Sequence, residues 1–295
     1  MKKILITGAN SYIGTSFENW IKDNAPHISA DTLDMVGDTW KGAGFGTYDA
    51  IFHVAGIAHA DVGKASEEQK ALYYKVNTDL TAECAKKAKA EGVKQFIFMS
   101  SIIVYGESAG IGKERMITKE TPLSPANFYG DSKVKAEEAL TKLADENFKV
   151  VVLRPPMIYG KGSKGNYPIL AKMAHKLPFF PNVKNQRSML YIGNLCKFVA
   201  CVIEREEYGI FYPQNREYVN TGEMVKHIAG VGGKKIHLTG LFNPILKLMG
   251  KLGGKLGGIV NKAFGSMVYD KAMSEYDFEY QMYDLEESIR LTEAD

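Results

Sequence analysis

The chain has 295 residues, 45% of them hydrophobic and 24% charged, a composition that excludes a disordered chain and lets a full core form without staples. A net charge of +3 gives no basis for nucleic-acid binding, and no run of eighteen apolar residues is present to span a membrane. Cys84, Cys196 and Cys201 form no C-x-x-C pair and no even framework, and the opening apolar run stops at Thr7-Gly8, too short for a secretory leader. A reduced, cytoplasmic setting is predicted.

Up to Arg154, apolar runs alternate with amphipathic stretches. Lys3–Thr7 reads as a buried strand, and Phe17, Trp20 and Ile21 share one face of a helix from about Ile13 to Asp23. Ile28–Leu33 reads as a second strand and Asp49–Ala55 as a third, its alternation lost as in strands buried on both faces. A helix from about Glu67 to Glu91 is stopped by Gly92. Gln95–Ser100 and Lys149–Arg154 are strands flanking a helix from about Tyr129 to Asp145. This order predicts an α/β fold, a Rossmann-type doubly wound parallel sheet covered on both faces. Beyond Arg154 the chain is broken by Pro155-Pro156, Gly160, Gly162, Gly165, Pro168, Pro178 and Pro181, with a helix predicted over Ile192–Glu204.

T-G-A-N-S-Y-I-G at 7–14 lies between the first strand and the first helix, where a dinucleotide-binding turn belongs. Gly8 and Gly14 permit a tight turn and close backbone approach. The backbone around Asn10, Ser11, Tyr12 and Ile13 would offer free N–H groups to a pyrophosphate. The middle glycine position holds Ser11, whose side chain would either crowd the phosphates or hydrogen-bond them. An ordinary strand–helix turn carries two glycines as well. Asp34 follows the second strand, 20 residues after Gly14, as a candidate for the adenosine ribose hydroxyls, with Asp31 as competitor. No lysine or arginine follows before Lys41, which favours NAD over NADP.

S-S-I-I-V-Y-G at 100–106 is followed by S-P-A-N-F-Y-G-D-S-K at 124–133. Tyr129 and Lys133 are one helical turn apart and project from one face. An ammonium beside a phenol favours the phenolate, so Lys133 is expected to lower the Tyr129 pKa toward the working pH for acid–base chemistry on an alcohol or carbonyl oxygen. Ser101, at a neighbouring strand end, is placed to hydrogen-bond the same oxygen. A lone Y-x-x-x-K would be a surface helix pair; the loop, the serine and their order along the chain together argue for a catalytic set. His53 and His59 lie six apart without an H-E-x-x-H pattern and are read as structural, with no metal assigned.

At these residues the sequence resembles the extended short-chain dehydrogenase/reductases, in their NAD-dependent nucleotide-sugar epimerase/dehydratase branch. The resemblance covers Met1 to about Glu223. T-G-A-N-S-Y-I-G is similar to the family's T-G-x-x-G-x-I-G. H-V-A-G at 53–56 resembles its strand end beside the cofactor, so Val54, Ala55 and Gly56 would border NAD. Asn77 resembles the asparagine of its Y-x-x-N helix, and L-R-P-P-M-I-Y-G at 153–160 its segment facing the nicotinamide, which adds Pro156. The resemblance implies that Tyr129 is the acid/base, that Lys133 holds the nicotinamide ribose and tunes Tyr129, and that Ser101 binds the reacting oxygen. Dehydratases of the branch carry Asp-Glu after the serine or threonine; this chain has Ile102-Ile103, so elimination of water is not expected. Asn166 in G-K-G-S-K-G-N-Y-P and Arg187 in Q-R-S-M-L-Y-I-G-N-L resemble residues that meet the substrate's diphosphate. Ser188 and Gly193-Asn194 depart from the acidic residues usual there. A homodimer is also implied.

Charge is segregated near the end of the chain. Met224 to Tyr269 holds seven lysines and no acid, whereas Asp270 to Asp295 holds nine acids against Lys271 and Arg290. Asn243-Pro244 is read as an N-cap and first helical residue. Beyond it Ile245, Leu248, Met249, Leu252 and Leu256 share one helical face and Lys247, Lys251 and Lys255 another, with glycines mostly toward the polar side. Each interior glycine costs about 1 kcal/mol against alanine, so this helix needs a partner surface. The protein body is the ordinary partner; peripheral contact of 241–264 with anionic lipid is the alternative, and the basic stretch could also meet its own acidic tail.

The sequence thus predicts an NAD-binding domain over residues 1–160, joined by 186–215, and a small, discontinuous C-terminal substrate-binding part over 161–185 and 216–295. The leading expectation is an NAD-dependent 4-epimerase of a UDP-hexose or UDP-N-acetylhexosamine. The alternatives are an NAD(P)H-dependent 4-keto reductase of a nucleotide sugar and a non-catalytic nucleotide-sensing protein, the last motivated by Ser11 and the short stretch between Asp34 and Asp49.

Overall fold

A computed structural model describes residues 1–58, 65–252 and 254–294; His59 and the side chains of Lys255 and Leu256 lie outside the described residues. The chain opens with β1 (Lys2–Thr7), α1 (Tyr12–Asn24), β2 (Ile28–Leu33), β3 (Ala50–His53), α2 (Glu67–Tyr74), α3 (Leu80–Ala90) and β4 (Gln95–Met99). It continues through β5 (Met116–Ile117), α4 (Phe128–Thr141), β6 (Lys149–Leu153), β7 (Met157–Tyr159), α5 (Asn166–Lys176), β8 (Phe179–Pro181), β9 (Met189–Tyr191) and α6 (Ile192–Glu204). It ends with β10 (Gly209–Phe211), α7 (Thr221–Val231), β11 (His237–Thr239), α8 (Asn243–Lys251), α9 (Gly254–Phe264), β12 (Val268–Tyr269) and α10 (Leu285–Glu293).

Six of the strands form one sheet in the order β10-β6-β4-β3-β1-β2, with every neighbouring pair parallel. β3 and β4 are buried at every position, which explains the lost alternation in their sequences. On one face Phe17 and Ile21 of α1 and Leu195, Phe198 and Val199 of α6 cover the sheet. On the other, Cys84, Ala85 and Ala88 of α3 and Ala136 and Leu140 of α4 do so, with Trp40, Phe45 and Phe148. The expected doubly wound sheet is the architecture found. α2 runs into α3 through a π turn at Lys75–Asp79, so the helix predicted as one piece is continuous but locally underwound and widened.

The stretch between Asp34 and Asp49 holds no strand. It forms a short 3-10 helix at Thr39–Gly42 that drives Trp40 into the core. After β6 the chain builds a second core from α5, α7, α9 and α10, where Tyr159, Tyr167, Met224, Val225, Ile228, Phe264 and Ile289 are buried together. α6 and β10 return to the main sheet between these pieces.

α8 and α9 form a hairpin on the second core. Asn243 is not the cap but the first residue of α8. Its amide donates to the Asn182 carbonyl at 2.8 Å. The glycines are also arranged differently from expectation. A Cβ on Gly250 would lie 2.7 Å from Asn261 Oδ1, and one on Gly257 would lie 3.1 Å from the Met249 carbonyl oxygen. These two glycines lie at the crossing of the helices, where only a hydrogen side chain allows the approach.

Candidate active site

The site is built at the C-terminal ends of β1, β2, β3 and β4, the edge where ligands of open α/β sheets bind. After β1 the chain turns at Gly8, whose φ of +112° suits glycine. A Cβ there would lie 2.8 Å from the Ala55 nitrogen. The turn is tied to β2 by Gly8 and Ala9 N–H bonds to the Leu33 carbonyl at 2.9 and 3.2 Å. Asn10 is exposed with φ of +61°. Ser11 is the N-cap of α1, accepting the Gly14 N–H at 3.2 Å, so its hydroxyl turns into the helix. Capping is a role that the sequence reading of Ser11 did not include. Gly14 is buried, and a Cβ there would meet Ser11 Oγ at 2.7 Å and Ile6 at 2.9 Å.

The side chains of Tyr12 and Ile13 pack within the protein. Ile13 packs on the first core. Tyr12 lies against Tyr191 and Cys196, burial pushes its phenol up, and its hydroxyl has no hydrogen-bond partner among the described residues. What these two positions offer a ligand is backbone at a helix N-terminus. Asp34 is exposed just past β2, with one carboxylate oxygen accepting the Val36 N–H at 2.9 Å. Its competitor Asp31 lies within β2 and is engaged by Tyr48 at 2.8 Å and Lys3 at 3.2 Å. Lys41, the next cation, pairs with Asp38 at 3.0 Å and Glu83 at 3.5 Å.

At the end of β3, Val54 packs on one core, Ala55 on the other, and Gly56 is exposed. Asn77, expected at the cofactor, is fully buried in the π turn. It clamps the Ile57 backbone, accepting its N–H at 2.8 Å and donating to its carbonyl at 3.1 Å, and also donates to Ser132 at 3.0 Å. Its amide therefore positions the Gly56 edge and α4. His53 is buried between Thr7 (Nδ1, 2.7 Å) and Thr81 (Nε2, 3.0 Å), and burial pushes its pKa down to about 3. Thr81 donates to the Asn77 carbonyl at 2.8 Å, so it accepts from His53 Nε2 and the imidazole is neutral.

α4 begins at an Asn127 cap that accepts the Gly130 N–H at 3.1 Å. A Cβ on Gly130 would lie 3.0 Å from the Ile103 carbonyl oxygen, so glycine brings the start of α4 against the turn that follows Ser101. Ser101 caps that turn, accepting the Ile103 N–H at 3.3 Å. Tyr129 is half-buried with its ring edge-on to Tyr73, centroids 6.0 Å apart. Burial pushes its phenol up to about 12, and the Ser101 hydroxyl alongside pulls the other way.

The expected lowering of the Tyr129 pKa by Lys133 is not what the geometry gives. Lys133 donates to the Met99 carbonyl at 2.8 Å and its ammonium lies 4.7 Å over the Phe98 ring. Burial pushes Lys133 itself down to about 8, opposed by the charge of Glu137. The same ammonium lies beside Gly56, where a Cβ would be 3.3 Å away.

Sequence reasoning missed the buried network beneath the site. Arg154, closing β6, pairs with Glu137 one turn beyond Lys133, with Nη2 to Oε2 at 2.5 Å and Nε to both oxygens at 3.2 Å. Arg154 also donates to the Tyr105 hydroxyl at 2.7 Å, and Ser100 donates to Glu137. The available signal was a charge directly after five strand residues and another at helical spacing from Lys133.

On the proposed substrate side, Pro156 is buried after β6, and Asn166 is half-buried as the first residue of α5. Arg187 is half-buried and donates to the Lys262 carbonyl at 2.5 Å, and burial lowers its pKa. Ser188 and Asn194, the departures from the family pattern, belong to buried networks with Gln214 and with Asn215 and Tyr283. Among the described residues no cluster of His, Cys, Asp or Glu could hold a metal ion, and no helix is long and apolar enough to cross a membrane.

A family profile described as the NAD dependent epimerase/dehydratase family matches residues 4–212. This chain belongs to that family. The UDP-glucose 4-epimerase of Vibrio cholerae is 32% identical over 290 residues, covering 91% of this chain and 87% of the relative. An N-acetyl-alpha-D-glucosaminyl-diphospho-ditrans,octacis-undecaprenol 4-epimerase of Escherichia coli O157:H7 is 28% identical over 284 residues, covering 89% and 81%. UDP-glucuronic acid 4-epimerase from Bacillus cereus, solved with NAD, shares the fold with a TM-score of 0.71 at 15% identity, covering 98% of this chain and 96% of that one. The chain is thus an enzyme of a family that works with NAD. Its residues fit that cofactor: a tight turn at Gly8 leading to the N-terminus of α1, exposed backbone at Gly56, and an exposed carboxylate at Asp34.

Proposed function

We propose that this chain is an NAD-dependent 4-epimerase of a UDP-hexose or UDP-N-acetylhexosamine. The observation that carries the reading is the gathering of Ser101, Tyr129 and Lys133 at one sheet edge, beside a loop that fits a dinucleotide. NAD bound there supplies the acceptor, and then the donor, of a hydride. The Tyr129 oxygen takes the proton of the sugar's 4-hydroxyl and later returns it, while the Ser101 hydroxyl holds the same sugar oxygen. Lys133, fixed by the Met99 carbonyl, holds the nicotinamide ribose. Ile102 and Ile103 supply neither acid nor base, so the chemistry does not extend to loss of water. Asn166 and Arg187 anchor the diphosphate, Arg187 with guanidinium N–H groups beyond the one given to Lys262. Both curated relatives are named as 4-epimerases of a sugar on a diphosphate, which supports this substrate class.

The test is incubation of the purified chain with UDP-glucose and with UDP-N-acetylglucosamine, without added cofactor, followed by separation of the 4-epimers. Both the appearance of an epimer and a fall of about 10²–10⁴-fold in kcat for Tyr129→Phe are expected. Turnover of neither sugar, or an undiminished rate in Tyr129→Phe, overturns the reading. Activity only on 4-keto sugars with added NADH or NADPH replaces it with the reductase.

A further inference from the structure

The α8–α9 hairpin carries an apolar ridge that faces solvent. Leu241, before α8, is 77% exposed; Ile245 and Leu248, one turn apart on α8, are 60% and 61% exposed, and Leu252 at its C-cap is 73% exposed. Ile259 of α9 is 56% exposed as well. Folding does not require this ridge. The inner side of the hairpin is already filled by Leu246, Met249, Val260 and Phe264 against the second core. The ridge is flanked by exposed Lys247 and Lys251, within a stretch of seven lysines and no acid from Met224 to Tyr269. Among the described residues the ion pairs of the acidic tail run to Arg205, Arg216 and His175 and within α10.

We propose that the outer face of this hairpin docks on an anionic lipid bilayer. Exposed leucines flanked by lysines match a surface that is apolar just below a layer of negative headgroups. α8 has 9 residues and α9 has 11, so each lies in the interface plane rather than crossing it. The hairpin also borders the proposed substrate side. Its Lys262 carbonyl holds Arg187, and Lys247 lies against Gly112 in the loop after the Ser101 turn. Docking is separate from the proposed sugar chemistry, because vesicle binding is read without turnover.

The experiment is co-sedimentation of the full chain with phosphatidylglycerol–phosphatidylcholine vesicles, against phosphatidylcholine alone, at low and high salt. Binding to the anionic vesicles at low salt is expected, weakened as salt screens the lysines. Leu248→Glu/Leu252→Glu is expected to lower binding by at least roughly tenfold while leaving the thermal melt unchanged, since both positions are exposed. Lys247→Gln/Lys251→Gln is expected to lose the preference for anionic over neutral vesicles. No binding at low salt, equal binding by the leucine double variant, or a self-association abolished by that variant without any vesicle binding each overturns the proposal.

Discussion

Beneath the sheet edge, charged and polar groups are buried and engaged with one another; on the outer face of the α8–α9 hairpin, apolar groups are exposed. Glu137, Arg154 and Ser100 lie at 5%, 6% and 5% exposure, whereas Leu241 and Leu252 lie at 77% and 73%. Both regions invert the usual partition of side chains. The contrast separates two uses of that inversion. A buried polar group is stable only when its partners are fixed, so it holds neighbouring elements in one arrangement. An exposed apolar ridge fixes nothing internally and stores its favourable contact for another surface.

The largest test of this contrast is Glu137→Gln. It leaves the Arg154 charge buried without its carboxylate, and breaking a buried pair costs about 3–5 kcal/mol. Urea denaturation should show that loss, and Tyr129-dependent turnover should fall with it, since Ser100 and α4 lose their common anchor. A loss below about 1 kcal/mol would mean that water reaches the pair and that it orders little.

Next is Gly257→Val. The Cβ alone would lie 3.1 Å from the Met249 carbonyl oxygen, and overpacking of this kind costs about 1–3 kcal/mol. The damage should stay within the hairpin, raising hydrogen exchange in α8 and α9 while exchange in the sheet is unchanged. Spread of the effect into β1 or β3 would show that the two regions are one cooperative unit.

These effects also show which features a sequence discloses. The strands from Lys3, Gln95 and Lys149 were legible because three or four apolar residues in a row, with helical stretches between, have few other solutions. Tyr129 and Lys133 were legible as a pair because helical spacing is local. Where Lys133 points was not, since the Met99 carbonyl and the Phe98 ring belong to a strand distant in sequence. The capping role of Ser11 was not read from the sequence, because it depends on the Gly14 N–H being turned toward its hydroxyl. The glycines at 250 and 257 read as polar-face residues until a second helix stood against them. Arg154 and Glu137 are joined only by the packing of α4 on β6, which no single-segment pattern encodes.

The pH dependence of stability sharpens the buried side of the comparison. His53 is held neutral, with a pKa pushed down from 6.5 to about 3 by burial. Between those values the unfolded chain binds a proton that the folded chain refuses, so stability is full above pH 6.5 and falls as pH drops toward 3. The slope from one such group is about 1.4 kcal/mol per pH unit. His53→Gln, which can still bond Thr7 or Thr81, should flatten the denaturation midpoint between pH 6 and about 4 relative to the parent. An unchanged slope would assign the acid sensitivity to other groups.

The smallest expected effect belongs to the hairpin. Leu252→Ser removes a side chain that is 73% exposed, so its unfolding free energy should change by no more than about 0.5 kcal/mol. Set beside Glu137→Gln, this near-zero value is what distinguishes a ridge held for another surface from one that supports the fold. Equilibrium denaturation of both variants in one buffer gives the ratio directly. A loss in Leu252→Ser comparable to that in Gly257→Val would mean that the ridge already has a partner within a second copy of the chain. In that case dilution of the parent protein should lower its stability as well, because a stability shared between protomers depends on their concentration.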